Sequence, residues 1–176
     1  MTYEIIDNFL PEYQFKQLQS LIMSETFPWY YNDRIVDDQK NKSTKYQFIH
    51  KLYDIHESGP TEYVEFGDEL KSKLELVCTI LKANIIYKIK VNTRPRSFFK
   101  RSSGGYHTDQ AGSNYTSILY MNTNNGYTKF MKGGKVKSVE NRMVIFDSNL
   151  KHQTVTCTDE KIRIVINFNY STLFLK

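Results

Sequence analysis

The segment Ile162-Arg163-Ile164-Val165-Ile166-Asn167-Phe168-Asn169-Tyr170 carries two different surfaces on one short piece of chain. Successive side chains of a strand point to opposite faces. One face therefore presents Arg163, Val165, Asn167 and Asn169, and the other Ile164, Ile166, Phe168 and Tyr170. A polar face opposite an apolar one fits a barrel strand whose inside lines a wet cavity and whose outside meets helices or a second sheet. Arg163 then points inward, where a guanidinium grips a carboxylate through two parallel hydrogen bonds. The competing reading is a surface strand with Arg163 in water, since an interior arginine needs an anionic partner.

Upstream of this segment the second half of the chain repeats the strand signal. Ile85, Tyr87, Ile89 and Val91 alternate with partly polar neighbours and predict a half-buried strand. Further strands are predicted over 115–122, 128–131, 135–139, 142–147 and 153–156, with Asn124-Asn125-Gly126 and Gly133-Gly134 as turns. The first half reads as helical. Pro11 opens a helix carrying Phe15, Leu18, Leu21 and Ile22 at helical spacing. It ends before Phe27-Pro28-Trp29-Tyr30-Tyr31, an aromatic cluster read as packing. The stretch 32–59 is polar and irregular. A second helix is predicted over about 61–82, with Val64, Leu70, Leu74, Val77 and Leu81 as its stripe. Helices first and short strands after predict an α+β protein, mainly β, with amino-terminal helices packed on an antiparallel barrel or sandwich.

Length and composition agree with a single unit. The 176 residues suit one domain, 1–176, with a helical part of about 1–84 and a β core of about 85–172. With 40% hydrophobic and 14% aromatic residues the chain can bury a core, which excludes intrinsic disorder. No apolar run approaches the roughly 18 residues of a membrane span. The opening Met1-Thr2-Tyr3-Glu4 has no basic stretch leading into an apolar one, so a cytoplasmic protein without a secretory signal is expected. Cys78 and Cys157 are too few for a disulfide framework. The net charge of +5 hides a segregation: residues 76–139 hold eleven bases and one acid, while the rest hold thirteen bases and eighteen acids. A block of +10 predicts an anionic ligand or partner, and its plainer reading is a solvated Lys-rich face.

The one acid of that block lies in Tyr106-His107-Thr108-Asp109. In extended chain His107 and Asp109 share a face, and two such ligands need a third. His152 supplies a candidate, after a short loop from the predicted strand 142–147. Two histidines and one carboxylate form the facial triad of non-haem Fe(II) oxygenases, which leaves coordination positions open. A Zn-dependent hydrolase would use the same three ligands but gives Arg163 no role. A non-catalytic binding protein is the reading from a different class. His50 and His56 have no comparable partner and read as surface histidines.

Taken in order, Tyr106–Asp109, then Ile118-Leu119-Tyr120-Met121-Asn122, Gly126-Tyr127-Thr128-Lys129-Phe130, Asn141-Arg142-Met143-Val144-Ile145-Phe146-Asp147-Ser148, His152 and Arg163-Ile164-Val165-Ile166-Asn167-Phe168 resemble the Fe(II)/2-oxoglutarate-dependent dioxygenases. Within that superfamily the chain looks like the prolyl-4-hydroxylase-like branch. Ile6-Asp7-Asn8-Phe9-Leu10 and Phe27–Tyr31 resemble short oxygenases carried by marine bacteriophages, which would place the protein in the host-cell cytoplasm. The resemblance implies a double-stranded β-helix, a cupin-like jelly roll with the helices on its major sheet. It implies His107, Asp109 and His152 as iron ligands, and Fe(II), 2-oxoglutarate and O₂ as cofactor and co-substrates. Arg163 would pair with the distal carboxylate of 2-oxoglutarate, with the Tyr120 hydroxyl on the same group and Asn92 near the co-substrate. Core packing is the alternative for Tyr120, and a strand-end cap for Asn92. Thr128 and Asn167 are further candidates for the cavity lining.

The implied reaction is hydroxylation of a C–H bond with decarboxylation of 2-oxoglutarate to succinate. Because Asp109 is not a small residue, no coordination site is freed for a halide. The substrate would be a protein side chain such as proline, a small metabolite or a nucleobase. The basic segment Arg94-Pro95-Arg96-Ser97-Phe98-Phe99-Lys100-Arg101 reads as a lid, or as a solvated loop. As a lid it would bring Arg94, Arg96 and Arg101 to the substrate. The nucleic-acid demethylase branch carries a second arginine after the co-substrate arginine, and none follows Arg163.

Overall fold

A computed structural model of the chain describes residues 3–33, 35, 46–55, 67–98, 104–109 and 112–173. The elements in order are β1 (Tyr3–Ile6), α1 (Glu12–Ile22), β2 (Tyr30–Asn32), β3 (Gln47–Asp54), α2 (Gly67–Ile80) and β4 (Ile85–Pro95). There follow β5 (Tyr115–Tyr120), β6 (Tyr127–Phe130), β7 (Lys135–Lys137), β8 (Arg142–Asp147), β9 (His152–Val155) and β10 (Ile162–Ser171). They build a seven-stranded sheet of order β1-β8-β5-β10-β4-β3-β2 and a three-stranded sheet of order β7-β6-β9.

The alternation along β10 sets the layers. Its apolar face turns outward, where Ile164, Ile166, Phe168 and Tyr170 are buried with Phe15, Leu18 and Ile22 of α1 and Leu70, Leu74 and Val77 of α2. Ile89 and Val91 of β4, Leu119 of β5 and Met143 of β8 extend the same face. A fully buried side chain of this size is worth about 1.5–3 kcal/mol, so this shared face fixes both helices on the large sheet. The inner face forms a second cluster, in which Ile118, Tyr120, Val144, Phe146 and Val165 meet Phe130 and Val136 of the small sheet. Beyond these side chains the inner face turns polar, with Asn92, Arg94, Arg163, Asn167 and Asn169 facing a cavity.

Three differences from the sequence expectation concern the amino-terminal part. It is not purely helical: β1 pairs with β8, Tyr3 opposite Phe146, and β2 and β3 complete the other edge of the large sheet. The stretch that reads as irregular contains the eight-residue β3. Its alternation is interrupted by a register shift against β4 between Lys51 and Tyr53, which mixes its two faces. His50 is not a surface histidine but is 8% exposed, with Nδ1 2.8 Å from the Pro28 carbonyl and its ring between Phe27 and Tyr30.

The helices themselves fall where expected. Pro11 precedes α1 as its N-cap with extended backbone rather than forming its first turn, and α2 spans Gly67–Ile80. Residues 61–66, including Val64, lie outside the described residues. Within the predicted aromatic cluster Phe27 is buried, whereas Tyr30 and Tyr31 are exposed. Both cysteines are free and buried. Among the described residues no helix is long and apolar enough to cross a membrane.

Candidate metal centre

His107 sits outside any long strand, yet its backbone is fixed. Its N–H donates to the His152 carbonyl and the His152 N–H donates back, each at 2.9 Å, as one antiparallel bridge on the edge of the small sheet. Residues paired in this way carry their side chains on the same side. The two imidazoles lie with centroids 4.6 Å apart. Asp109, two residues on in extended chain, turns to the same side, 3.7 Å from His107 Nε2 and 3.6 Å from His152 Nε2. One ligand atom from each of the three residues lies within 4.8 Å of the others.

The protons on the rings are placed by their neighbours. His107 Nδ1 is 3.2 Å from the Gly105 carbonyl, and His152 Nδ1 is 3.0 Å from the Leu150 carbonyl. A carbonyl only accepts, so Nδ1 carries the proton and Nε2 keeps its lone pair. Two lone pairs and a carboxylate thus converge with no proton to share. Asp109 Oδ2 is shielded from solvent and has no hydrogen-bond partner, an arrangement costly for a lone carboxylate and natural for a metal ligand. These residues fit a divalent cation.

Burial is the largest influence on Asp109 and opposes its charge, yet it is overcome. The neighbouring His152 and His107 rings, the Lys90 ammonium and the Thr116 hydroxyl favour the carboxylate and hold the carboxyl below its ordinary value. Thr116 in turn accepts a hydrogen bond from Asn169 Nδ2 at 2.9 Å, its register partner on β10. Burial, and then the cost of a second positive ring beside His152, push the His107 pKa down, which favours the neutral imidazole. The ring of Phe146 meets His152 edge-on with centroids 4.8 Å apart and limits its rotation.

The three residues open on a cavity of about 500 Å³. Arg163 stands on its wall, 2% exposed. Its Nε donates to Ser138 Oγ at 2.8 Å and its Nη2 to Thr128 Oγ1 at 3.2 Å, while the guanidinium lies 5.3 Å from the Tyr120 ring centroid. These partners are neutral, and burial pulls the Arg163 pKa below its ordinary value. Among the described residues no carboxylate pairs with it.

The remaining candidate residues separate. Asn92 and Asn167 are on the cavity wall, each with a buried Oδ1 that has no hydrogen-bond partner. Asn92 lies within β4, so it is not a strand-end cap. Tyr120 is fully buried behind Arg163, and its hydroxyl donates to Thr128 Oγ1 at 2.8 Å. Arg94 is on the wall and 5% exposed. Arg96 is exposed, with its guanidinium 4.9 Å from the Phe98 ring centroid. Arg101, like Phe99, Lys100 and His56, lies outside the described residues. The segment is no free lid over 94–97: Arg94 and Pro95 belong to β4, and the N–H groups of Arg96 and Ser97 donate to the Lys161 and Cys157 carbonyls, each at 3.0 Å.

Sequence reasoning missed three supporting residues, Ser138, Thr116 and Gly126. A Cβ on Gly126 would lie 2.9 Å from Arg163 Cδ and 2.9 Å from the Val155 carbonyl oxygen, so glycine is needed there for room. Its place in a turn signal disguised that role. Ser138 and Thr116 touch the site only through long-range contacts, which have no local signature.

No family model matches the chain, and no curated protein sequence matches it. Solved structures do. A prolyl hydroxylase from Trichoplax adhaerens, in complex with a peptide fragment of the hypoxia inducible factor oxygen degradation domain, superposes with a TM-score of 0.66 at 18% identity, covering 96% of this chain and 82% of that one. A Pseudomonas putida prolyl-4-hydroxylase gives 0.57 at 14% identity, covering 96% and 92%. The non-heme alpha-ketoglutarate-dependent epimerase SnoN of nogalamycin biosynthesis gives 0.63 at 9%, covering 97% and 77%. The shared fold is the double-stranded β-helix. Its hosts include hydroxylases and an epimerase, so the reaction must be argued from the site.

Proposed function

We propose that this chain is an Fe(II)- and 2-oxoglutarate-dependent dioxygenase, a single catalytic domain over 1–176, that hydroxylates a C–H bond of a protein side chain in the manner of prolyl hydroxylases. The observation that carries the reading is a pair of complementary groups in one cavity. A His-Asp-His donor set converges its lone pairs on one point, and a buried arginine on the same wall is held by neutral hydroxyls. A metal-chelating dianion answers both. The large sheet draws strands from residue 3 to residue 171, which supports a single domain.

His107, Asp109 and His152 would hold Fe(II), and Arg163 the distal carboxylate of 2-oxoglutarate. When bound with O₂, this pair supplies a C–H-oxidising equivalent as 2-oxoglutarate becomes succinate and CO₂. The chain does the rest. The carbonyls of Gly105 and Leu150 keep Nε2 deprotonated, Thr116 steers the carboxylate, and Ser138 and Thr128 aim the guanidinium. Tyr120 backs Arg163, and its OH reaches the anion site through Thr128. Asn92 and Asn167 add polar side chains to the cavity wall. Support for a protein substrate comes from the peptide complex of the Trichoplax neighbour.

Anaerobic titration with Fe(II) and 2-oxoglutarate should raise a weak visible charge-transfer band. Admission of O₂ with a peptide pool should then release succinate. No band and no succinate would refute the enzyme reading, while succinate only with nucleic-acid or metabolite pools would move the substrate class.

A further inference from the structure

Arg94 is the direct register partner of Arg163 across β4 and β10. Directly paired residues project side by side on one face, with Cβ atoms roughly 5 Å apart, and like charges there repel. Both side chains are more than nine-tenths buried and both stand on the cavity wall. Arg94 Nε and Nη1 have no hydrogen-bond partner. Burial, and then the charge of Arg163, lower the Arg94 pKa to about 10. Among the described residues neither arginine has a carboxylate partner, and Asp109 is the only acid on that wall. Two adjacent buried cations with spare donors are unfavourable unless an anion lies against both.

We propose that Arg94 and Arg163 together hold one carboxylate, the distal carboxylate of 2-oxoglutarate, as a two-arginine clamp. The inference rests on the reading of the site given above and removes Arg94 from the substrate-facing basic segment. Arg163 is aimed by Ser138 and Thr128, while Arg94, on the same wall and with Nε and Nη1 bound to no protein acceptor, is the second guanidinium available to the anion. The clamp makes the second carboxylate a condition of binding and excludes 2-oxo monoacids.

Calorimetric binding to the Zn(II)-substituted protein tests this without turnover, using 2-oxoglutarate and 2-oxobutanoate, which keeps the keto acid and lacks the distal carboxylate. Arg94→Gln should weaken 2-oxoglutarate about tenfold or more, on the order of one charge-assisted hydrogen bond, and leave 2-oxobutanoate unchanged. In an Arg163→Gln background the same substitution should have a different effect, since both groups grip one carboxylate. The metal-free Arg94→Gln protein should unfold no earlier than wild type, because an unpaired buried charge has gone. A loss below about tenfold, or an equal loss for both probes, overturns the clamp. If wild type itself fails to bind 2-oxoglutarate, the functional reading fails instead.

Discussion

Gly126→Ala tests how the arginine is seated. The added methyl carbon would lie 2.8 Å from Asn124 Oδ1, 2.9 Å from Arg163 Cδ and 2.9 Å from the Val155 oxygen, where ordinary contact begins at 3.4 Å. Each neighbour must therefore retreat by roughly half an ångström. Val155 resists, because β9 is held by its pairing with β6, Tyr127 opposite Val155. Gly126 resists as well, since its carbonyl accepts from the Ser138 N–H at 3.0 Å. Arg163 is left to move, away from Ser138. Overpacking of this kind costs about 1–3 kcal/mol of stability. Losing one charge-assisted bond to the ligand costs about 1.5–3 kcal/mol, or roughly ten- to hundredfold in affinity. Urea unfolding of the metal-free protein and calorimetric binding of 2-oxoglutarate to the Zn(II) form measure the two effects. Gly133→Ala is the control: its φ of +107° strains any side chain, but nothing lies within 4 Å. It should lower stability and leave affinity alone. Wild-type affinity and stability in Gly126→Ala, or an equal affinity loss in the control, would refute the steric account.

Asn141, at φ 57°, accepts from the Leu10 N–H at 3.0 Å and donates to the Leu10 carbonyl at 2.8 Å. Asn141→Ala should cost about 1–3 kcal/mol for each Leu10 group left unpaired. Asn141→Gly should cost about 1 kcal/mol less, because glycine tolerates the left-handed backbone; equal urea midpoints would contradict this. Phe168→Ala, at the centre of the helix-covered face, should lose about 3–5 kcal/mol, and a loss under 1 kcal/mol would mean the face is not the main core. The lowered His107 pKa has a definite sign: below the ordinary value of 6.5 the unfolded chain takes up a proton that folded His107 refuses. The metal-free protein should therefore lose stability as pH falls from 6.5, and His107→Gln should flatten that limb of the unfolding profile.

What the sequence reveals and conceals follows the range of the contacts. The two faces of 162–170 are legible because alternation is local, and the structure places them as read, apolar toward the helices and polar toward the cavity. The triad is brought together, His107 and Asp109 by adjacency and His152 through one bridge. β3 is hidden because its shifted register spoils the alternation that marks a strand. Arg94 reads as part of a loop because apolar alternation fades after Val91, although β4 runs on to Pro95. Its meaning lies in the residue opposite, Arg163, 69 positions away, and no local pattern announces such a pairing.

The bridge between His107 and His152 has a consequence for how the centre tolerates change. His152 keeps its inward direction only while β9 holds its alignment on β6, with Phe130 opposite His152. A slip of one residue would turn every β9 side chain to the other face and carry the imidazole out of the centre. Metal affinity in this protein should therefore behave as a digital readout of strand alignment. Substitutions far from the His-Asp-His cluster, in the turn at Gly133-Gly134 or along β7, would either leave binding intact or abolish it, with few intermediate values.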